Sequence, residues 1–244
     1  MMDDYSKNVP MYYNFKFIRI EEEYKQACEL ATKFRFTNQH SDLGGTRLEI
    51  GMLGEILQEI LFYVNGTMAK WLLGQKENYD FIFDGELLNA KTKLRKGKFI
   101  DYNSNEVSVP ANQKDFNTTL YSFFTIKGEP ISDLRMKGKY SFLTKKLING
   151  DAYFIATVTH SDYFNKEDIG RFGRKLWLHS AGENASNGAS STKDNWQREA
   201  RELTTIDKTR QYFNNVPHKA VIDVYDVRRQ MEKDKALNKE IEYV

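Results

Sequence analysis

Apolar and polar positions along the chain divide it into alternating strands, two well-marked helices and several polar connections. Tyr12 to Ile20 alternates apolar and polar side chains, the pattern of a half-buried strand. Glu21 to Phe34 has acids in its first turn and Tyr24, Ala27, Leu30, Ala31 and Phe34 at helical spacing, which predicts a helix. Phe36 to Gly45 is polar and predicts a loop. Thr46, with Glu49 three residues on, forms a capping box for a longer helix whose apolar stripe is Ile50, Leu53, Leu57, Ile60, Leu61 and Val64. Gly51 and Gly54 each cost that helix about 1 kcal/mol relative to Ala, so they predict the close approach of another backbone. Glu55 stands beside the stripe, and a lone glutamate there reads as solvent-facing.

Thr67 to Leu73 predicts a short, partly exposed strand leading to the most informative stretch, Tyr79 to Lys93. Its two apolar-rich runs flank Asp84-Gly85, a pair suited to the positive φ angles of a two-residue type I′ turn. Such a turn sets Asp80 opposite Asn89 and Ile82 opposite Leu87. Lys91 then shares the face of Asn89, while Phe81, Phe83, Leu88 and Ala90 form the core face.

Further on, Val107 to Asp115 predicts a turn into a short helix or loop, and Leu120–Ile126 and Ala152–Thr159 predict buried strands. Ser161 to Phe164 predicts the next turn, and Tyr163 to Phe172 a helix. Ser180 to Asp194 lacks large apolar side chains and predicts a mobile loop. Glu199–Phe213 is helical in composition, and Ala220–Tyr225 predicts a last strand. Val227–Glu242 predicts a charged helix with little apolar face, an appendage or partner-binding arm.

At 244 residues, with 40% hydrophobic side chains including 14 Tyr and 16 Phe, the chain can build one large folded domain. A formal charge of +2 argues nothing about nucleic acid, so local clustering must carry that case. The single Cys28 excludes an internal disulfide framework and a cysteine-based zinc site. His40, His160, His179 and His218 have no metal-ligand spacing. No apolar run approaches membrane-spanning length and the N-terminus is polar, so the chain reads as cytoplasmic with no membrane partner.

The hairpin gathers an acid, an amide and an amine on one face. An Asp can bind a divalent cation, a neighbouring side-chain oxygen can complete the coordination, and a lysine can stabilise a nucleophilic water or the charge growing on a phosphate. The same pattern also suits an ordinary hairpin with a solvated polar face. Lys91, Lys93, Arg95, Lys96 and Lys98 then put five positive charges into eight residues, leaving the end of this site where a phosphate backbone would pass. Arg135 to Lys146 holds five more basic residues and no acid.

In order, the pieces resemble the PD-(D/E)xK nuclease superfamily. The matching segments are Gly-Met-Leu-Gly-Glu at 51–55, Tyr-Asp at 79–80, Asn-Ala-Lys-Thr-Lys at 89–93, Pro-Ala-Asn-Gln-Lys at 110–114 and the strand from Leu120. The resemblance covers about residues 46–160. It implies an α/β fold: a central mixed sheet flanked by helices, with a restriction-endonuclease-like αβββαβ core. Residues 1–45 would be an N-terminal addition and 161–244 a C-terminal elaboration of one 244-residue domain. It also implies Glu55, Asp80 and Asn89 as ligands of Mg²⁺ or Mn²⁺. Asp80, Asn89, Lys91 and Gln113 would be the catalytic residues, with Gln113 the loosest match. Lys93, Arg95, Lys96 and Lys98 would contact DNA. Asn89 departs from the usual Asp or Glu; an amide offers an oxygen ligand without charge.

The implied activity is metal-dependent hydrolysis of DNA by an endonuclease of restriction or phage type, from a phage or bacterial source, acting alone or as a homodimer. Two other readings compete with it: a catalytically decayed nucleic-acid-binding protein on the same fold, and a structural or assembly protein without catalysis. The basic run gives a prediction of its own. Replacing Lys93, Arg95 and Lys96 together by Ala should weaken DNA binding for every sequence and flatten the dependence of log K on log salt by roughly 2–3, since each neutralised phosphate contributes about 0.9. An unchanged slope in salt titrations of binding would reduce the run to a solvated loop.

Overall fold

Asp84 and Gly85 both adopt positive φ, 48° and 76°. The turn pairs Phe81 with Leu88, Ile82 with Leu87 and Phe83 with Glu86, the register expected of an Asp-Gly hairpin. Around this hairpin, the computed structural model describes residues 13–37, 46–67, 69–72, 79–95, 106–127, 135–136, 139–140, 151–165, 176–180, 194–199, 203, 208–217 and 219–241. They form, in order, β1 (Tyr13–Ile18), α1 (Glu21–Thr37), α2 (Thr46–Val64), β2 (Ala69–Trp71), β3 (Phe81–Phe83) and β4 (Glu86–Arg95). Next come β5 (Glu106–Pro110), a 3-10 helix at Ala111–Asp115, β6 (Leu120–Lys127), β7 (Arg135–Met136), β8 (Lys139–Tyr140) and β9 (Asp151–Thr159). The chain continues with α3 (His160–Phe164), β10 (Trp177–His179), β11 (Asn195–Glu199), α4 (Thr209–Tyr212), β12 (Lys219–Asp223) and α5 (Val224–Ile241).

The fold is mixed α/β. A seven-stranded sheet runs in the order β12-β1-β9-β6-β4-β3-β2. β1 with β12 and β4 with β6 are parallel, and the remaining neighbours are antiparallel. One face of the sheet carries the larger core, built from Phe15, Phe17, Phe81, Phe83, Leu88, Leu120, Phe124 and Ile126 against α1, α2 and the start of α5. The other face carries a smaller core of Tyr121, Phe123 and Val158 under Val107, Val109 and Tyr163. That second layer is a three-stranded sheet, β10-β11-β5, whose Trp196 carbonyl accepts the Tyr163 hydroxyl at 2.9 Å.

Several expectations change. Phe36 and Thr37 belong to α1 rather than to a loop. Residues 107–110 form a strand instead of a turn, because Val107 and Val109 alternate into the second core while β11 supplies backbone partners. The helix expected at 163–172 is a short one at 160–164, capped by Thr159, with 166–172 outside the described residues. The helix expected at 199–213 is only α4 among the described residues, since Glu199 ends β11. Most of the expected mobile loop, 181–193, lies outside the described residues. α5 is no free appendage: Val224 and Met231 are buried, and Arg228 donates to Glu59 (2.8 Å) and Glu23 (3.3 Å), tying α5 to α2 and α1. No helix among the described residues is long and apolar enough to cross a membrane.

α2 is buried nearly all round, with Ile56 and Phe62 as deep as the expected stripe, while Val64 at its end is exposed. Its glycines differ. A Cβ on Gly54 would come within 1.9 Å of Thr92 Oγ1, whereas one on Gly51 would meet nothing within 4 Å. The neighbour that demands glycine is therefore a side chain of β4, and only at one of the two positions. Gly54→Ala should destabilise the fold by about 1–3 kcal/mol through overpacking, while Gly51→Ala should stabilise it by up to about 1 kcal/mol through helix propensity. Urea midpoints of the two variants check this, and equal shifts would refute the contact.

Candidate functional site

The ladder between β3 and β4 ends at Phe81–Leu88, one pair short of the expected Asp80–Asn89 partnership. Asp80 N–H donates to Leu88 O at 2.8 Å, and Leu72 N–H donates to Asp80 O at 2.9 Å. Its carboxylate Oδ2 accepts the Ala90 N–H at 2.7 Å. The chain leaves the ladder at Asp80, and the side chain takes the amide of β4 that the departing backbone no longer reaches. An acid at this position both ends the pairing and marks the split between two strands.

Glu55 comes to this split from the other direction. The contact of Gly54 with Thr92 lays α2 against β4, so the next residue along the helix stands over the strand that carries Lys91. Glu55 is only 9% exposed, which overturns its reading as solvent-facing. Trp71 Nε1–H donates to Glu55 Oε2 at 3.0 Å. The indole is held in turn by stacking on Phe81, its ladder partner, with centroids 6.5 Å apart. Lys91 is partly buried and interacts through space with both acids without an ion-pair contact to either.

The three charges shift one another. Burial pushes the Glu55 carboxyl well above the ordinary range, and the charge of Asp80 pushes it further, against the Trp71 hydrogen bond and Lys91. Burial also raises Asp80, opposed by Lys91 and the Ala90 N–H. Burial lowers Lys91, opposed by Asp80 and Glu55. With all three ionised, two carboxylates and one ammonium leave one net negative charge in a partly buried cluster. A proton or a bound cation relieves it.

The other expected site residues are less tightly joined. Asn89 is 5% exposed and lies two residues before Lys91 on β4, in register with Tyr121 of β6. The Tyr121 hydroxyl donates to the Gln113 backbone carbonyl at 3.2 Å, and the Gln113 side-chain oxygen is buried with no hydrogen-bond partner among the described residues. Gln113 thus sits one tyrosine away from Asn89 rather than beside the acids. Lys93 is exposed; the Arg95 side chain, Lys96 and Lys98 lie outside the described residues. Trp71 and Tyr121 were not anticipated. The hairpin register gave no position for β2, so nothing in the sequence tied a tryptophan at 71 to a glutamate at 55.

Among the described residues, no group of three or more His, Cys, Asp and Glu side chains could hold a metal ion. Two carboxylates and a nearby amide are too few for a self-contained Zn²⁺ or Ca²⁺ cage. They do suit Mg²⁺, which keeps several waters and is commonly held by one or two carboxylates together with substrate phosphate. Each acid has one oxygen engaged by an N–H group, and no other donor among the described residues hydrogen-bonds to either. Comparison of the chain with protein-family models, curated proteins and solved structures finds no match.

Raised carboxyl pKa values have a definite sign in stability. Between the unfolded carboxyl value near pH 4 and the raised folded values, the native state binds more protons than the unfolded state, so stability falls as pH rises. The cost is absent below the unfolded value and complete above the folded ones. Without divalent metal, the melting temperature should therefore decline from about pH 4 toward neutrality. Glu55→Gln should flatten that decline, and millimolar Mg²⁺ should offset it in the wild type. Parallel pH profiles for wild type and Glu55→Gln would contradict the buried-acid assignment.

Proposed function

We propose that the chain is a nuclease that hydrolyses phosphodiester bonds of DNA with Mg²⁺ or Mn²⁺, on a restriction-endonuclease-like core. The observation that carries this is the convergence of Glu55, Asp80 and Lys91 where β3 leaves β4: α2 lies against β4 at Gly54 and Thr92, Glu55 is buried with one oxygen on Trp71, and Asp80 is held by the Ala90 N–H. The order of elements supports it: α2, then the antiparallel run β2-β3-β4, then β6 returning parallel to β4. The described part of that return contains β5 and a 3-10 helix where the αβββαβ pattern has a longer helix.

In this reading Glu55 and Asp80 each offer one carboxylate oxygen to the cation, and Asn89 is a neutral third donor close by on β4. A divalent cation there supplies a Lewis acid for the phosphate and lowers the pKa of a bound water. Lys91 keeps positive charge beside the acids, where it counters charge growing on the phosphate in the transition state more than charge in the ground state. Lys93, Arg95, Lys96 and Lys98 carry the DNA backbone past the site. A second reading, a DNA-binding protein that has lost catalysis, is favoured by one feature: the amide at 89 leaves only two carboxylates.

Cleavage of supercoiled plasmid in Mg²⁺ or Mn²⁺ separates the two. Wild type should nick or linearise the plasmid. Lys91→Ala should lose roughly 10²-fold or more in rate, the usual cost of removing a transition-state charge partner, while binding DNA within about threefold of wild type. Binding without cleavage by wild type selects the second reading. Undiminished cleavage by folded Lys91→Ala removes the lysine from the chemistry.

A further inference from the structure

β2 is three residues long, and the contacts at its end reach the Glu55 side chain and the Asp80 backbone. Trp71 Nε1–H donates to Glu55 Oε2, and the amide of the next residue, Leu72, donates to the Asp80 carbonyl. Stacking on Phe81 and pairing with it in the ladder fix the indole from two sides. A tryptophan used only for packing at this sheet edge needs no defined donor direction, since its N–H could turn to water. Here the donor is spent on a carboxylate that is itself buried and has no other hydrogen bond among the described residues. The engagement matches that of Asp80, whose Oδ2 is held by the Ala90 N–H.

We infer that Trp71 is a positioning residue for Glu55: its indole N–H holds one carboxylate oxygen so that the other is presented, together with the second oxygen of Asp80, to a divalent cation. The inference rests on the proposed metal-dependent function and adds to it a residue that touches neither metal nor substrate. A donor fixed on a ligand's far oxygen limits carboxylate rotation and selects one-oxygen over two-oxygen coordination. That suits the small, strictly octahedral Mg²⁺ shell, which keeps places for water and phosphate. Phenylalanine would keep the stack on Phe81 and lose the donor, freeing the carboxylate to rotate.

Mn²⁺ titration calorimetry on the full chain tests this with wild type, Trp71→Phe, Glu55→Gln and the double variant. Trp71→Phe should weaken Mn²⁺ binding roughly tenfold, as loss of a partner behind a metal ligand commonly does. In the Glu55→Gln background the same change should cost less than about twofold, because no carboxylate remains to orient. Equal losses in both backgrounds would make Trp71 a purely structural residue and overturn the inference, as would unchanged affinity in Trp71→Phe. Should Trp71→Phe fail to fold, benzothienylalanine at position 71 keeps the ring shape and replaces the N–H by sulfur, with the same expected loss. In ¹⁵N-indole spectra of the wild type, Mg²⁺ should move the Trp71 signal while leaving those of Trp177 and Trp196 in place. A Trp71 signal indifferent to Mg²⁺ would also overturn it. If the wild type binds no Mn²⁺ at all, the proposed function falls and this inference with it. If the wild type binds Mn²⁺ and cleaves DNA while Trp71→Phe matches it, only the inference falls.

Discussion

The site depends on how closely α2 can lie against β4. Gly54 and Thr92 meet where a Cβ would come within 1.9 Å of the threonine hydroxyl. A larger side chain at 54 would push α2 off β4, and Glu55 would move away from the hairpin with its burial less compensated. Held against β4, it lies within electrostatic reach of Asp80 and Lys91. The rest of α2 accepts the geometry because it is apolar on almost every side, so the sheet, α1 and α5 can grip it together. The absence of a Cβ at 54 is what lets the helix lie against Thr92 next to Glu55.

A pocket of this kind is costly for the isolated fold. Two partly or fully desolvated carboxylates next to one ammonium hold their charge poorly, and each acid is pushed toward its protonated form. Burial alone cannot explain keeping such a group, because a leucine or glutamine at 55 would fill the space with less penalty. The hydrogen bonds from Trp71 and Ala90 lower the cost but leave an oxygen on each acid without a donor. Such a cluster is relieved either by a proton on one of the acids or by a bound cation, and the proposed function takes the second.

The hairpin was legible in the sequence because its information is local: Asp84-Gly85 sets the turn, the turn sets the register, and the register places Phe81, Phe83 and Leu88 in the core. Glu55 was legible as a candidate only through its family resemblance. Its burial depends on contacts between α2 and strands that begin 14 residues or more farther along the chain, at Ala69 and beyond, and a lone glutamate beside the stripe reads as solvent-facing until those strands are placed. Residues 107–110 were misread for a related reason. β5 gains its partners from β11, nearly 90 residues away, and a short segment ending in Pro110 looks like a turn until that partner is known. α5 was misread because its apolar stripe is short, Val224, Val227 and Met231, and much of its docking is charged, with Arg228 between Glu23 and Glu59.

The same ion pairs tie the ends of the chain to the candidate site. Glu59 lies one helical turn beyond Glu55 on α2, and Arg228 pins it to α5 while also engaging Glu23 of α1. β1 and β12, from opposite ends of the described chain, pair in parallel at the edge of the sheet that contains β4. The segments outside 46–160 therefore brace the core. Arg228 fixes α2 to α5 and α1 one helical turn from Glu55. A core cut out at residues 46 and 160 would keep every residue of the proposed chemistry yet lose the clamp that keeps a buried glutamate facing its partners.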